Sequence, residues 1–133
     1  MPRILLVDDD ELLRGALRQI LVRAGYDVDD ASNGKVAIRE YRRQRSDVVI
    51  TDIVMPDEEG LGTIRELRRV DPKVKIIAIS GGGLGKAGDY LGIAQILGAM
   101  RTLAKPFVPE VLLAMITEVL ADPDTPKVSP HRE

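Results

Sequence analysis

Five short apolar runs, each followed by a stretch with helical spacing, limit this chain to very few folds. The runs are Ile4 to Val7, Tyr26 to Val28, Val48 to Thr51, Val74 to Ile79 and Met100 to Leu103. Runs this short and rich in Val and Ile suit strands buried on both faces; the second is the weakest of the five. Between them, Leu13, Leu17, Ile20, Leu21 and Ala24 form a helical stripe that stops at Gly25, a good C-terminal cap. Val36, Ala37 and Tyr41 form a second stripe, and Leu61, Ile64, Leu67 and Val70 a third that ends at Asp71-Pro72. Leu91, Ala94 and Leu97 predict a fourth helix closed by Gly98, and Val111, Leu112, Met115, Ile116 and Val119 a fifth. Strand and helix alternate five times, which is the pattern of an α/β fold with a doubly wound parallel sheet. Right-handed crossovers leave few topologies for such a sheet.

A chain of 133 residues holds one core. Beyond Leu120 it turns polar and carries three prolines, so a folded domain is expected over 1–121 and a flexible tail over 122–133. Its 44% hydrophobic and 30% charged content are those of a globular protein. A formal charge of −2 gives no electrostatic reason to expect nucleic-acid or membrane binding. With no cysteine, disulfides and thiolate metal sites are excluded, and a reducing compartment fits. The first apolar run is too short for a signal peptide and ends in acid, and no apolar stretch approaches the ~20 residues of a membrane helix. The expected location is the cytoplasm.

In an open parallel sheet, ligands bind beyond the carboxyl ends of the strands, where the strand order reverses. At those ends this sequence places Asp8-Asp9-Asp10, Asp52, Ser80 and Lys105. The end of the second strand, with Asp29 and Asp30, looks uninvolved. Two unit charges ~4 Å apart repel by roughly 4 kcal/mol at an effective dielectric near 20. Asp8, Asp9 and Asp52 therefore call for a cation, and a few hard oxygen ligands favour Mg²⁺. Lys105 adds an ammonium and Ser80 a hydroxyl donor, which together suit stabilisation of a phosphoryl group. Asp52 is the candidate nucleophile, since a carboxylate can form an acyl phosphate. Asp10 stands where the first helix should begin and reads as its N-cap rather than a ligand.

Two features point elsewhere. Gly83-Leu84-Gly85-Lys86-Ala87-Gly88 is a formal G-x-G-x-x-G, but it follows the fourth strand and leaves only ~45 residues for the rest of a dinucleotide fold. It reads as a Gly-rich loop. His131, the sole histidine, lies in the tail, so no histidine phosphorelay site is expected within the chain.

The strings ILLVDDD (4–10), VVITDIVMPDEEG (48–60), IAIS with Gly81 (77–81) and AKPF (104–107) resemble the receiver domains of two-component response regulators. The resemblance runs in order over residues 3 to about 121. It implies a flavodoxin-like (βα)5 fold with strand order 2-1-3-4-5. It further implies Asp52 as phosphoacceptor, Mg²⁺ on Asp9 and Asp52 with Asp8 acting through water, and a further oxygen from the Val54 main chain. Ser80 matches the switch hydroxyl, Lys105 the lysine that pairs with phosphoryl oxygens, and Lys105-Pro106 the family's cis peptide. The implied partners are a sensor histidine kinase or histidine phosphotransfer protein and an unidentified downstream protein target, and dimerisation is left open. A response on the face of the fourth helix, fifth strand and fifth helix is implied too.

The chain departs from that family at three places. Thr102 stands where an aromatic residue or His is usual three positions before the lysine, the 81–88 loop is longer than usual, and Val54 offers no polar side chain to a hydrolytic water. The competing reading is an aspartate-based phosphatase of the haloacid-dehalogenase type. It wants a second Asp two residues after the nucleophile, where Val54 stands, and a substrate cap for which the chain is too short. The expectation is a signalling domain whose only chemistry is its own phosphotransfer and self-hydrolysis.

Overall fold

The strands and helices follow one another as β1 (Arg3–Val7), α1 (Glu11–Arg23), β2 (Asp27–Ala31), α2 (Gly34–Arg43), β3 (Val48–Asp52), α3 (Glu59–Val70), β4 (Ile76–Ser80), β5 (Arg101–Ala104) and α4 (Pro109–Ala121). This is a computed structural model, and the residues it describes are 2–53, 59–80, 95 and 98–123. The five strands form one sheet in the order β2-β1-β3-β4-β5, with every neighbouring pair parallel. The expected fold class and strand order are both met. The helix predicted from Leu91, Ala94 and Leu97 falls outside the described residues, as does the Gly83–Gly88 loop.

Successive residues of a strand face opposite sides of a sheet, so a strand covered on both sides must be apolar throughout. β3 and β4 are buried along their whole length. Leu5, Val7, Val49, Ile76 and Ala78 join Ala37 and Tyr41 of α2 and Ile64 and Leu67 of α3 in one core. Ile4, Leu6, Val48, Ile50, Ile77 and Ile79 join Leu17 and Leu21 of α1 and Leu112, Ile116 and Val119 of α4 in the other. Two outermost stripe positions miss these cores. Ala24 and Val111 are exposed, because α1 and α4 turn narrower apolar faces to the sheet than their sequences suggested.

The second strand also corrects its expected span. It runs to Ala31 and contains Asp29 and Asp30 instead of ending before them. As an edge strand it buries only Val28 and Ala31. Asp29 is paired with Arg3 at 3.0 Å and Asp30 with Arg14 at 3.3 Å. Arg18 donates to the Val28 carbonyl at 2.8 Å, satisfying an edge acceptor.

Local chemistry sets the helix ends. Asp10 caps α1 by accepting from the Leu13 N–H at 3.1 Å, and Asn33 caps α2 by accepting from Val36 at 2.9 Å. At the far end of α1, Gly25 has φ 100°, a conformation in which a Cβ would be strained. The N–H groups of Gly25 and Tyr26 then close back on the carbonyls of Val22 and Leu21. Pro109 opens α4, where its missing N–H costs nothing. The last turn of α4 receives the Lys75 ammonium, which donates to the carbonyls of Val119 and Asp122 at 3.0 and 2.6 Å.

α2 is tied to the turn after α3 by the Tyr41 hydroxyl, which donates to Asp71 Oδ2 at 2.6 Å. Tyr41 is buried; burial and the hydrogen bond to Asp71 push its pKa up. Burial works against the Asp71 carboxylate, but the Tyr41 hydroxyl, the Lys73 N–H and the Arg45 charge outweigh it and hold its pKa below the ordinary 3.8. A carboxyl with a depressed folded-state pKa stabilises the fold above its unfolded value, and that contribution fades as pH falls through the folded-state value. Tyr41→Phe is expected to cost about 1–2 kcal/mol near pH 7. In urea titrations the gap to the wild-type protein should narrow below about pH 4; a gap independent of pH would show that the Asp71 charge has no part in it.

Candidate functional site

The sheet order reverses between β1 and β3, and there the chain gathers its acidic groups. Asp8 leaves the end of β1, Asp52 is the last residue of β3, Ser80 the last of β4, and Lys105 follows β5 directly. Parallel register brings these ends to one edge, with Asp52 opposite Ile79 and Ser80 opposite Ala104. Each of Asp8, Asp9 and Asp52 contributes a carboxylate oxygen to a group within 4.8 Å of one another. Lys105 Nζ lies 3.0 Å from Asp52 Oδ2 and 3.4 Å from Asp8 Oδ2. Asp8 and Asp52 are only 3% and 6% exposed, whereas Asp9 is open to solvent.

Two buried carboxylates this close are held by specific partners. The Asp8 carboxylate accepts from the Asp10 N–H at 2.9 Å, while its own N–H donates to the Ala31 carbonyl at 3.1 Å. Its pKa is nevertheless raised from 3.8, first by burial and further by the Asp52 charge, against the Asp10 N–H and Lys105. Burial alone would lower the Lys105 ammonium; the hydrogen bond and charge of Asp52, with those of Asp8, reverse this and raise it above 10.5. Lys105 is anchored through its backbone, since its N–H donates to the Ser80 carbonyl at 2.8 Å; the peptide to Pro106 is cis, as the resemblance implies. Among the described residues one ammonium, paired with Asp8 and Asp52, stands against the three clustered carboxylates, which leaves an excess of negative charge there. Three hard oxygen donors, two of them buried, fit a small divalent cation such as Mg²⁺.

Of the site residues expected from sequence, Asp8, Asp9, Asp52 and Lys105 come together, and Ser80 ends the neighbouring strand, fully buried. Val54 lies outside the described residues. Asp10 caps α1 as expected. Thr102 sits within β5 opposite Ala78 and is half-buried. Sequence reasoning missed Arg14, which donates to the main-chain carbonyl of Asp8 at 2.6 Å while pairing with Asp30. A bond to a main-chain oxygen leaves no mark in side-chain pattern. Asp30 is thus linked to the site through Arg14, although its strand was read as uninvolved.

A doubly wound α/β domain that gathers three carboxylates and a lysine at its switch point belongs to the class of open-sheet folds that bind ligands beyond the carboxyl ends of their strands. The family model for the response regulator receiver domain matches residues 4–117, and the chain belongs to that family. The general function of the family is a switch operated by phosphorylation on aspartate. The chain is 34% identical to the chemotaxis protein CheY of Thermotoga maritima, over 88% of its own length and 96% of that protein. It resembles the crystal structure of a CheY-like receiver domain protein from Methanospirillum hungatei JF-1 with a TM-score of 0.82 at 28% identity, covering 90% of this chain and 94% of that one. It is also similar to the response regulator TrrA of Thermotoga maritima, solved in complex with Mg(2+)-BeF, with a TM-score of 0.78 at 30% identity over 90% and 99% of the two chains. No helix among the described residues is long and apolar enough to cross a membrane.

Proposed function

We propose that Asp52 accepts the phosphoryl group, from the phosphohistidine of a sensor histidine kinase or a histidine phosphotransfer protein. A carboxylate oxygen of Asp52 forms the new P–O bond as the P–N bond to the donor imidazole breaks, and the departing imidazole takes a proton. The observation that carries this reading is the Lys105 ammonium 3.0 Å from Asp52 Oδ2, with the carboxylates of Asp8 and Asp9 beside it. Asp8, Asp9 and Asp52 would hold Mg²⁺, with the Val54 carbonyl as a further ligand. When bound, the ion would offset the carboxylate charge and that of the incoming phosphoryl oxygens. That TrrA was solved with Mg(2+)-BeF supports this choice of ion. Lys105 holds a phosphoryl oxygen, and Ser80 donates its hydroxyl to another.

Phosphorylation exchanges the single charge of the Asp52 carboxylate for roughly −1.5 to −2 on a phosphoryl group that brings three acceptor oxygens further into the site, enough to bias a two-state element and alter binding of a downstream protein. The receiver unit extends over 1–121 with 122–133 as a tail, acts in the cytoplasm without binding nucleic acid or membrane, and turns over no substrate beyond its own acyl phosphate. Incubation with acetyl phosphate and Mg²⁺, followed by peptide mapping, tests the reading. One adduct on the peptide containing Asp52 is expected, and none should form when the metal is chelated before the phosphodonor is added. Labelling elsewhere, or none at any Mg²⁺ concentration, would overturn it.

A further inference from the structure

We propose that Arg14 is a positioning residue that fixes the cation-binding carboxylates through the Asp8–Asp9 peptide, with Asp30 cancelling its charge; this rests on the acidic pocket binding Mg²⁺. Arg14 rises from the first turn of α1, and its guanidinium reaches two places at once. Nη1 donates to the Asp8 carbonyl at 2.6 Å, and Nε lies 3.3 Å from Asp30 Oδ2 on the edge strand. The Arg14 side chain is 15% exposed, so the clamp is largely withdrawn from water.

The geometry separates two jobs in the pocket. The Asp8 carboxylate is already held by the Asp10 N–H and Lys105. Asp9, the next residue, is exposed and adds a carboxylate oxygen to the same cluster. The peptide unit between them is a rigid plane that carries the carbonyl Arg14 grips, so this one bond restrains the ψ of Asp8 and the φ of Asp9, the backbone of the two residues that bear the carboxylates. A guanidinium at the rim of an acidic pocket would also repel a divalent cation. Asp30 removes that cost by pairing with it, so the clamp supplies a hydrogen bond without a net charge. Partners that orient ligands from behind are commonly worth ten- to a hundredfold in metal affinity.

Two kinds of variant test this through the Mg²⁺ dissociation constant, measured on the intact chain by calorimetry or amide chemical shifts beside the melting temperature. Arg14→Met is expected to raise the Mg²⁺ Kd about tenfold, and labelling at limiting Mg²⁺ should fall in step. Arg14→Lys, which keeps one donor and the charge, should recover part of that loss. Asp30→Asn keeps an acceptor for Nε but frees the guanidinium charge. It should weaken Mg²⁺ about threefold at low salt, and the deficit should shrink as salt is raised. Mg²⁺ affinity unchanged in both Arg14→Met and Asp30→Asn, with only the melting temperature lowered, would reduce Arg14 to a strap between α1 and β2. A wild-type chain that binds no Mg²⁺ would instead overturn the pocket itself, and this inference with it.

Discussion

Asp52→Asn is expected to incorporate no phosphoryl group under conditions that label the wild-type chain, a loss of at least about a thousandfold in rate. The amide has the shape of the carboxylate, but its oxygen carries no full charge and is a poor nucleophile. Because Asp52 is nearly buried and Asn is isosteric, the fold should survive, so the loss is chemical. Lys105 loses the charge of its 3.0 Å partner and keeps that of Asp8 at 3.4 Å, so its pKa should fall. Intact-mass measurement and a melting curve on the same sample separate the two effects. Labelling of the variant at the wild-type rate would place the acceptor elsewhere, with Asp9 the first alternative since it lies in the same cluster.

That so much of this site could be read from residues alone follows from the geometry of parallel sheets. β1, β3 and β4 are covered on both sides, so their sequences are apolar without interruption and mark their own ends. Once those ends are known, topology alone carries Asp8, Asp52 and Ser80 to one edge. β2 was harder to see because it lies at the sheet edge, where Asp27, Asp29 and Asp30 can stand within a strand. Asp27 is exposed, and the charges of Asp29 and Asp30 are met by Arg3 and Arg14 from other elements, partners that no local pattern announces. Lys75 was invisible for a related reason: its partners are the carbonyls of Val119 and Asp122, and carbonyls are common to every residue. Sequence thus reveals burial and the placement of strand ends, while contacts to the main chain emerge only with the fold.

The same crowding of carboxylates implies that the site is held at a cost to stability, and Asp8 is where this should show. Burial and the Asp52 charge raise its folded-state pKa above 3.8 despite the Asp10 N–H and Lys105. A carboxyl whose pKa is raised on folding binds its proton more tightly in the folded protein. It therefore subtracts from stability at every pH above the folded value, and the penalty is relieved as pH falls through that value. Asp8→Asn removes the charge yet keeps an oxygen for the Asp10 N–H. In chelator at pH 7 it should be more stable than the wild-type protein and melt at a higher temperature. Added Mg²⁺ should reverse the order, since a ligand stabilises only the protein that binds it, by RT ln(1 + [L]/Kd). With the buried carboxylate gone, the variant should bind Mg²⁺ at least about tenfold more weakly. Melting curves of both proteins across a Mg²⁺ series should cross. If Asp8→Asn is the less stable protein in chelator and responds to Mg²⁺ as the wild type does, then the buried charge imposes no strain and takes no part in holding the ion.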